Sequence, residues 1–187
     1  VGEVTKAYLA GPEEFARLWS PGKSKEAVAT WRKRGLLTNE QALIVSGSPY
    51  WPLGYAVEWA DTVRTVQKRP DAAELRAIKQ AQGRGVMVST AAEVEPVAGL
   101  QELTALYGLG RNVASAMRAK GGASLPPEDY VVSGKPLWLV ETLASAAAER
   151  GRTVDEGVLA ALRARTYDGP GSVVIARGRA AHTTTEV

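Results

Sequence analysis

The stretch VSGSPYW at residues 45–51 returns as VSGKPLW at 132–138, with five of seven letters unchanged and no gap. An internal repeat constrains a fold strongly, because it makes the chain use one element order twice. The correspondence extends well beyond these seven letters. AGPEEFARLWS (10–20) falls on AGLQELTALYG (98–108), and VATWRKRG (28–35) falls on ASAMRAKG (114–121). RTV recurs at 64–66 and 152–154, ELRA (74–77) meets ALRA (161–164), and VMVS (86–89) meets VVIA (173–176). The offset drifts only between 86 and 88 residues. The sequence therefore divides into a leader, 1–9, a first unit, 10–97, a second unit, 98–178, and a polar tail, 179–187. Units of this size form modest cores, so packing between the copies is expected.

Residue inventory narrows the chemistry. No apolar run approaches the roughly 18–20 residues that cross a bilayer, and VGEVTKAYLA lacks the basic-then-apolar pattern of a signal peptide. The chain has no cysteine, which removes disulfides and thiolate metal sites and fits a reducing cytoplasm. Its one histidine, His182, lies in the tail, so neither a histidine metal site nor a serine–histidine–aspartate triad is available. No metal, cofactor or catalytic activity is expected, and the expected location is the cytoplasm. The net charge of +3 says little about nucleic acid by itself, so the local distribution has to decide.

The periodicities predict a mainly helical α+β fold with short β-hairpins. Pro12 opens a helix over EEFARLW, with Phe15, Leu18 and Trp19 on one apolar face. SPGKS breaks it. A second helix, KEAVATWRKR, buries Ala27, Val28 and Trp31, and Gly35 stops it. ALIVSGSPYW reads as a hairpin with a turn at SGSP. LGYAVEWADTV reads as a third helix, with Leu53, Ala56, Val57 and Ala60 inward. Copy two repeats the plan, with a helix-to-helix turn two residues shorter. Each copy then adds a helix (71–82, 155–165) and a short β segment (85–89, 172–176). Trp31, Trp51, Trp59 and Trp138 fall at core-facing positions.

The string EEFARLW…SKEAVATWRKRGLL…LIVSGSPYWPLGYAVEWA resembles the winged helix-turn-helix of excisionase and MerR-like regulators. In that family a helix-turn-helix ending in W-x-K-R-G precedes a hairpin wing and a further helix. The resemblance covers about 50 residues of copy one; copy two has MRAKG in place of WRKRG and follows mainly through the repeat. It implies two tandem DNA-binding units, a double-stranded DNA partner and a place in the bacterial cytoplasm or nucleoid.

By position, Lys25, Glu26, Ala29 and Thr30 of copy one would face bases, with Lys23, Ser24, Arg32, Lys33 and Arg34 on phosphates. Residues 23–34 hold five basic side chains and one acid, so the charge is concentrated where the family binds DNA. In copy two Arg111, Asn112, Ser115 and Ala116 would face bases, with Arg118 and Lys120 beside them. Arginine pairs with guanine and asparagine with adenine. Ser48 and Lys135 would stand at the wing tips, where they touch DNA or only close a hairpin. The two sets differ, so a monomer acting as a pseudo-dimer would read an asymmetric two-part site, with avidity from covalent linkage. A transcriptional repressor of a phage or mobile element, a recombination directionality factor, and a partition or origin-binding protein would all present this surface. Transcription or recombination machinery is then a further partner class. A protein-interaction module using the same face is the rival from another class.

Two other patterns are structural. GLGRNV (108–113) lacks the third glycine, the Lys-Ser/Thr pair and the preceding strand of a nucleotide loop, so it reads as a turn. The acid pairs Glu13/Glu14 and Asp155/Glu156 sit at helix starts, where the helix dipole favours negative charge.

Overall fold

The helical periodicities and the Ser-Gly turns form helices and hairpins. In the computed structural model the residues described are 5–20, 22, 25–59, 69–110, 112–120 and 124–169. Among them are eight α-helices and two small three-stranded antiparallel sheets, a mixed α+β architecture. None of these helices is long and apolar enough to cross a membrane. In chain order the elements are β1 (Leu9–Ala10), α1 (Pro12–Trp19), α2 (Lys25–Lys33), β2 (Leu43–Val45), β3 (Ser48–Pro52), α3 (Leu53–Glu58) and α4 (Ala72–Gln82). The same order follows as β4 (Val97–Ala98), α5 (Leu100–Leu106), α6 (Val113–Ala119), β5 (Tyr130–Val132), β6 (Lys135–Leu139), α7 (Val140–Glu149) and α8 (Glu156–Ala164). The sheets run β1-β3-β2 and β4-β6-β5. Their registers correspond, Ala10 opposite Trp51 in one and Ala98 opposite Trp138 in the other.

The chain forms two compact units, and the division passes through both hairpins. Unit 1 comprises 1–43, 49–95 and 128–137; unit 2 comprises 44–48, 96–127 and 138–187. Each unit therefore contains the hairpin turn encoded by the opposite repeat.

Unit 1 is built around aromatic rings. Phe15 stands edge-on to Trp51 and Trp59, with centroids 5.1 and 5.3 Å apart, and Trp19 and Trp31 also pack on Trp59. Such pairs add to the roughly 1.5–3 kcal/mol that burying each large apolar side chain contributes. The indole N–H groups are satisfied: Trp19 donates to the Ala56 carbonyl, Trp51 to Thr38 and Trp59 to Leu36. Trp31 is only half-buried, lying against the core from α2. The α4 helix is capped by Asp71, whose carboxylate accepts the Glu74 N–H at 2.8 Å. At its other end the buried Gln82 amide takes the Leu9 N–H and donates to the Leu9 carbonyl, replacing a missing strand neighbour.

Unit 2 uses aliphatic residues where unit 1 uses rings. Leu103, Leu106, Ala114, Leu125, Leu143, Leu159 and Leu162 surround Trp138, whose indole donates to the Pro126 carbonyl. Asp155 caps α8 by accepting the Val158 N–H. Its own N–H donates to Leu106, just as the Asp71 N–H donates to Leu18 in unit 1.

Several expectations are corrected in detail. Each hairpin turns on two residues rather than four. Ser46 and Gly47 have φ of 47° and 75°, Ser133 and Gly134 have 48° and 70°, as a type I′ turn requires. Ser48 and Lys135 are accordingly the first residues of β3 and β6, not the tips. The 85–89 segment contributes a single parallel bridge, Ala7 to Val86, in which the Val86 N–H donates to the Lys6 carbonyl and the Val86 carbonyl accepts the Tyr8 N–H. The expected leader is partly structural: Ala7 is buried and Leu9 is a strand residue. The turn between α5 and α6 is no shorter than its counterpart, since α6 begins only at Val113 and Asn112 stands before it in a non-helical conformation. Ala60, the RTV string at 64–66, the 172–176 segment and the tail lie outside the described residues.

Candidate nucleic-acid interface

The α2 helix has a sharply divided surface. Val28 is buried in the unit 1 core, and Ala27 and Trp31 are half-buried beside it. Lys25, Glu26, Ala29, Thr30 and Lys33 are exposed. Their spacing places them on one outward face of a 3.6-residue helix. Arg34, just past the helix, is also exposed, and Arg32 is half-buried. The Thr30 hydroxyl donates to the Glu26 carbonyl one turn back at 3.0 Å, which fixes its direction and leaves its oxygen able to accept. A Schellman closure ends the helix: Leu36 N–H bonds to Trp31, Gly35 N–H to Arg32, and Gly35 has φ of 70°. Three cations thus follow one another where the helix stops, next to an exposed face of mixed polarity.

The α6 helix repeats the division in another chemistry. Ala114 is buried and Met117 half-buried, while Ser115, Ala116 and Arg118 are exposed, as are Asn112 just before the helix and Lys120 just after it. Val113, which sequence reading did not single out, is 43% exposed beside Asn112. A branched apolar side chain left in water on this face is a feature that α2 lacks. Of the other expected contacts, Ser48 is half-buried on β3 and Lys135 is exposed on β6. Lys23, Ser24 and Arg111 lie outside the described residues. Among the described residues no group of three or more His, Cys, Asp or Glu is placed to hold a metal ion.

No protein-family model, curated protein or solved structure matches this chain. Its functional reading rests on its own residues.

The most developed polar geometry among the described residues is one that the sequence reading missed. It lies at the starts of α1 and α5. In unit 1 the Glu14 carboxylate, 8% exposed, accepts the Gly11 N–H at 3.1 Å, the Ser133 N–H at 2.8 Å and the Ser133 hydroxyl at 2.6 Å. The Ser133 oxygen in turn accepts the Glu13 N–H at 3.1 Å. In unit 2 the Glu102 carboxylate, 3% exposed, accepts the Gly99 N–H at 3.0 Å, the Ser46 N–H at 2.8 Å and the Ser46 hydroxyl at 2.5 Å. The Ser46 oxygen accepts the Gln101 N–H at 3.1 Å. The clue was present in the repeat: AG-x-x-E and VSG are both retained, and each supplies what the other lacks.

Proposed function

We propose that the chain binds double-stranded DNA as a tandem pair of winged helix-turn-helix units of the excisionase and MerR-like type, with α2 and α6 as its base-reading helices. The observation that supports this reading is the outward face of α2. Its four base-facing candidates are all exposed on one side, beside Lys33 and Arg34, while Val28 anchors the other side. A helix held by its inner face with its outer face in solvent fits a major groove, where base edges are distinguishable. The neighbouring cations supply phosphate contacts, which set affinity and register.

The two faces favour unlike half-sites. Lys25, Glu26 and Thr30 offer a donor, an acceptor for cytosine N4 and a hydroxyl, whereas Asn112 offers the bidentate adenine pairing. A monomer reading an asymmetric site, as a cytoplasmic repressor acting by occupancy, follows from this reading. Recombination directionality is the alternative process.

Selection of the purified chain on a random duplex library, at fixed salt, tests the proposal. A motif with two unlike halves is the expected result, and a single short half would assign base reading to one helix alone. Absence of any enrichment would end the DNA reading in favour of protein capture by the same face.

A further inference from the structure

The helices α1 and α5 begin with a glycine in the N-cap position, so neither cap residue has a side chain to accept an orphan N–H of the first turn. The missing oxygen arrives from elsewhere in the chain. Ser133 Oγ accepts the N–H of Glu13 in α1, and Ser46 Oγ accepts the N–H of Gln101 in α5. The glycine is required by this arrangement, because a Cβ on Gly11 would fall on Ser133 Oγ and one on Gly99 on Ser46 Oγ. The buried glutamates complete the device by binding the serine hydroxyl and N–H as they bind the glycine N–H. A hairpin turn thus serves as the N-cap of a helix encoded in the opposite repeat.

Each capped helix leads directly into a proposed base-reading helix. Phe15 of α1 and Val28 of α2 share the unit 1 core, and the Phe15 and Trp31 rings lie 6.4 Å apart. Leu103 and Leu106 of α5 share the unit 2 core with Ala114 of α6. We propose that Ser133 and Ser46 are positioning residues for base recognition and act crosswise, Ser133 setting α2 through α1 and Ser46 setting α6 through α5. This deepens the DNA-binding proposal and rests on it.

The test uses the full chain in duplex selections. Thr30→Ala and Asn112→Ala first assign each half of the selected motif to α2 or α6. Ser133→Ala is then expected to weaken discrimination about tenfold in the α2 half, the scale of a lost hydrogen bond to a charged group, and to spare the α6 half. Ser46→Ala should do the reverse. Glu14→Gln should reproduce the Ser133→Ala pattern although it lies in the other repeat. Ser133→Asn should restore the α2 half, since asparagine tolerates positive φ and its amide can donate to the carboxylate. For either serine variant, loss in the half read by the serine's own repeat, or equal loss in both halves, would overturn the proposal.

Amide hydrogen exchange gives a second readout that needs no DNA. In Ser133→Ala, or in Glu14→Gln if the alanine variant does not fold, exchange should speed up across 12–33 and not across 100–119. A rise in both segments, or only in the second, would overturn the crosswise cap. If the unsubstituted chain enriches no duplex, the DNA reading fails with its base-reading consequence, and the exchange pattern alone decides the capping.

Discussion

The hydroxyl and the backbone N–H of Ser133 both donate to the carboxylate of Glu14, at 2.6 and 2.8 Å, across 119 residues of chain. Ser46 and Glu102 reproduce this geometry at 2.5 and 2.8 Å. A nearly buried carboxylate with three donors is well satisfied, and removing one donor leaves the charge short of a partner that water cannot readily replace.

Glu14→Gln and Ser133→Ala should therefore each destabilise the protein by about 1.5–3 kcal/mol in urea unfolding. The double variant should fall short of the sum, by about 1 kcal/mol or more. Glu14→Gln combined with Ser46→Ala should instead be additive. Coupling in the second pair and additivity in the first would contradict the crossed pairing.

Gln82 presents another stability test. Its amide is the partner of both backbone groups of Leu9, a fully buried strand residue. Gln82→Met keeps much of the volume and removes both bonds. The expected loss is about 1–3 kcal/mol for each group left unpaired, measured by chemical denaturation. A neutral substitution would mean that another acceptor and donor reach Leu9.

The proposed phosphate and base contacts would separate by salt titration. Lys33→Ala and Arg34→Ala should each lower affinity for every duplex alike and reduce the log–log salt slope by about one. Thr30→Ala should leave the slope unchanged and alter base preference instead. Equal slopes for the parent and the two cation variants would remove these residues from the phosphate contacts.

A pH-dependent contribution is expected from Glu141 and Arg163. The guanidinium donates to both carboxylate oxygens, at 2.7 and 2.8 Å. These bonds, reinforced by the charge attraction and opposed by partial burial, hold the Glu141 carboxyl below its ordinary range. Because the folded value lies below the unfolded one, the contribution is complete above the unfolded glutamate pKa, about 4.3, and disappears as pH falls through the lower folded value. Both side chains are well exposed, so the effect is small and weakens with added salt. Thermal melts of Glu141→Gln should fall slightly below the parent at neutral pH and converge with it in acid. A difference that grew on acidification would contradict the pairing.

Helix order, hairpin positions and most core residues were legible because they depend on local period. Phe15, Leu18, Trp19, Val28, Leu53 and Ala56 are all buried, as their spacing requires. β1 was not legible, since its two strand residues are too few to show alternation and the amide of Gln82 supplies part of its pairing. Turn type was legible in principle from Ser-Gly, but the Pro that follows drew the turn outward onto the strand. The exposure of Val113 escaped notice because the shared period aligns it with half-buried Ala27, whereas α6 starts later than that period implies. The crossed caps were hidden for a different reason. Each repeat carries both a carboxylate and a Ser-Gly turn, and no local pattern says which turn meets which carboxylate.

The crossed caps also bear on how such a chain can change over generations. The outward surfaces of the two copies already differ, Glu26 of α2 against Asn112 just ahead of α6 and Thr30 against Ala116, and a substitution there answers only to what that surface meets. A substitution at Ser46, Ser133, Glu14 or Glu102 must be accommodated by the other half of the gene. The halves are thus free to drift apart in what they present and bound to stay alike in how they are closed.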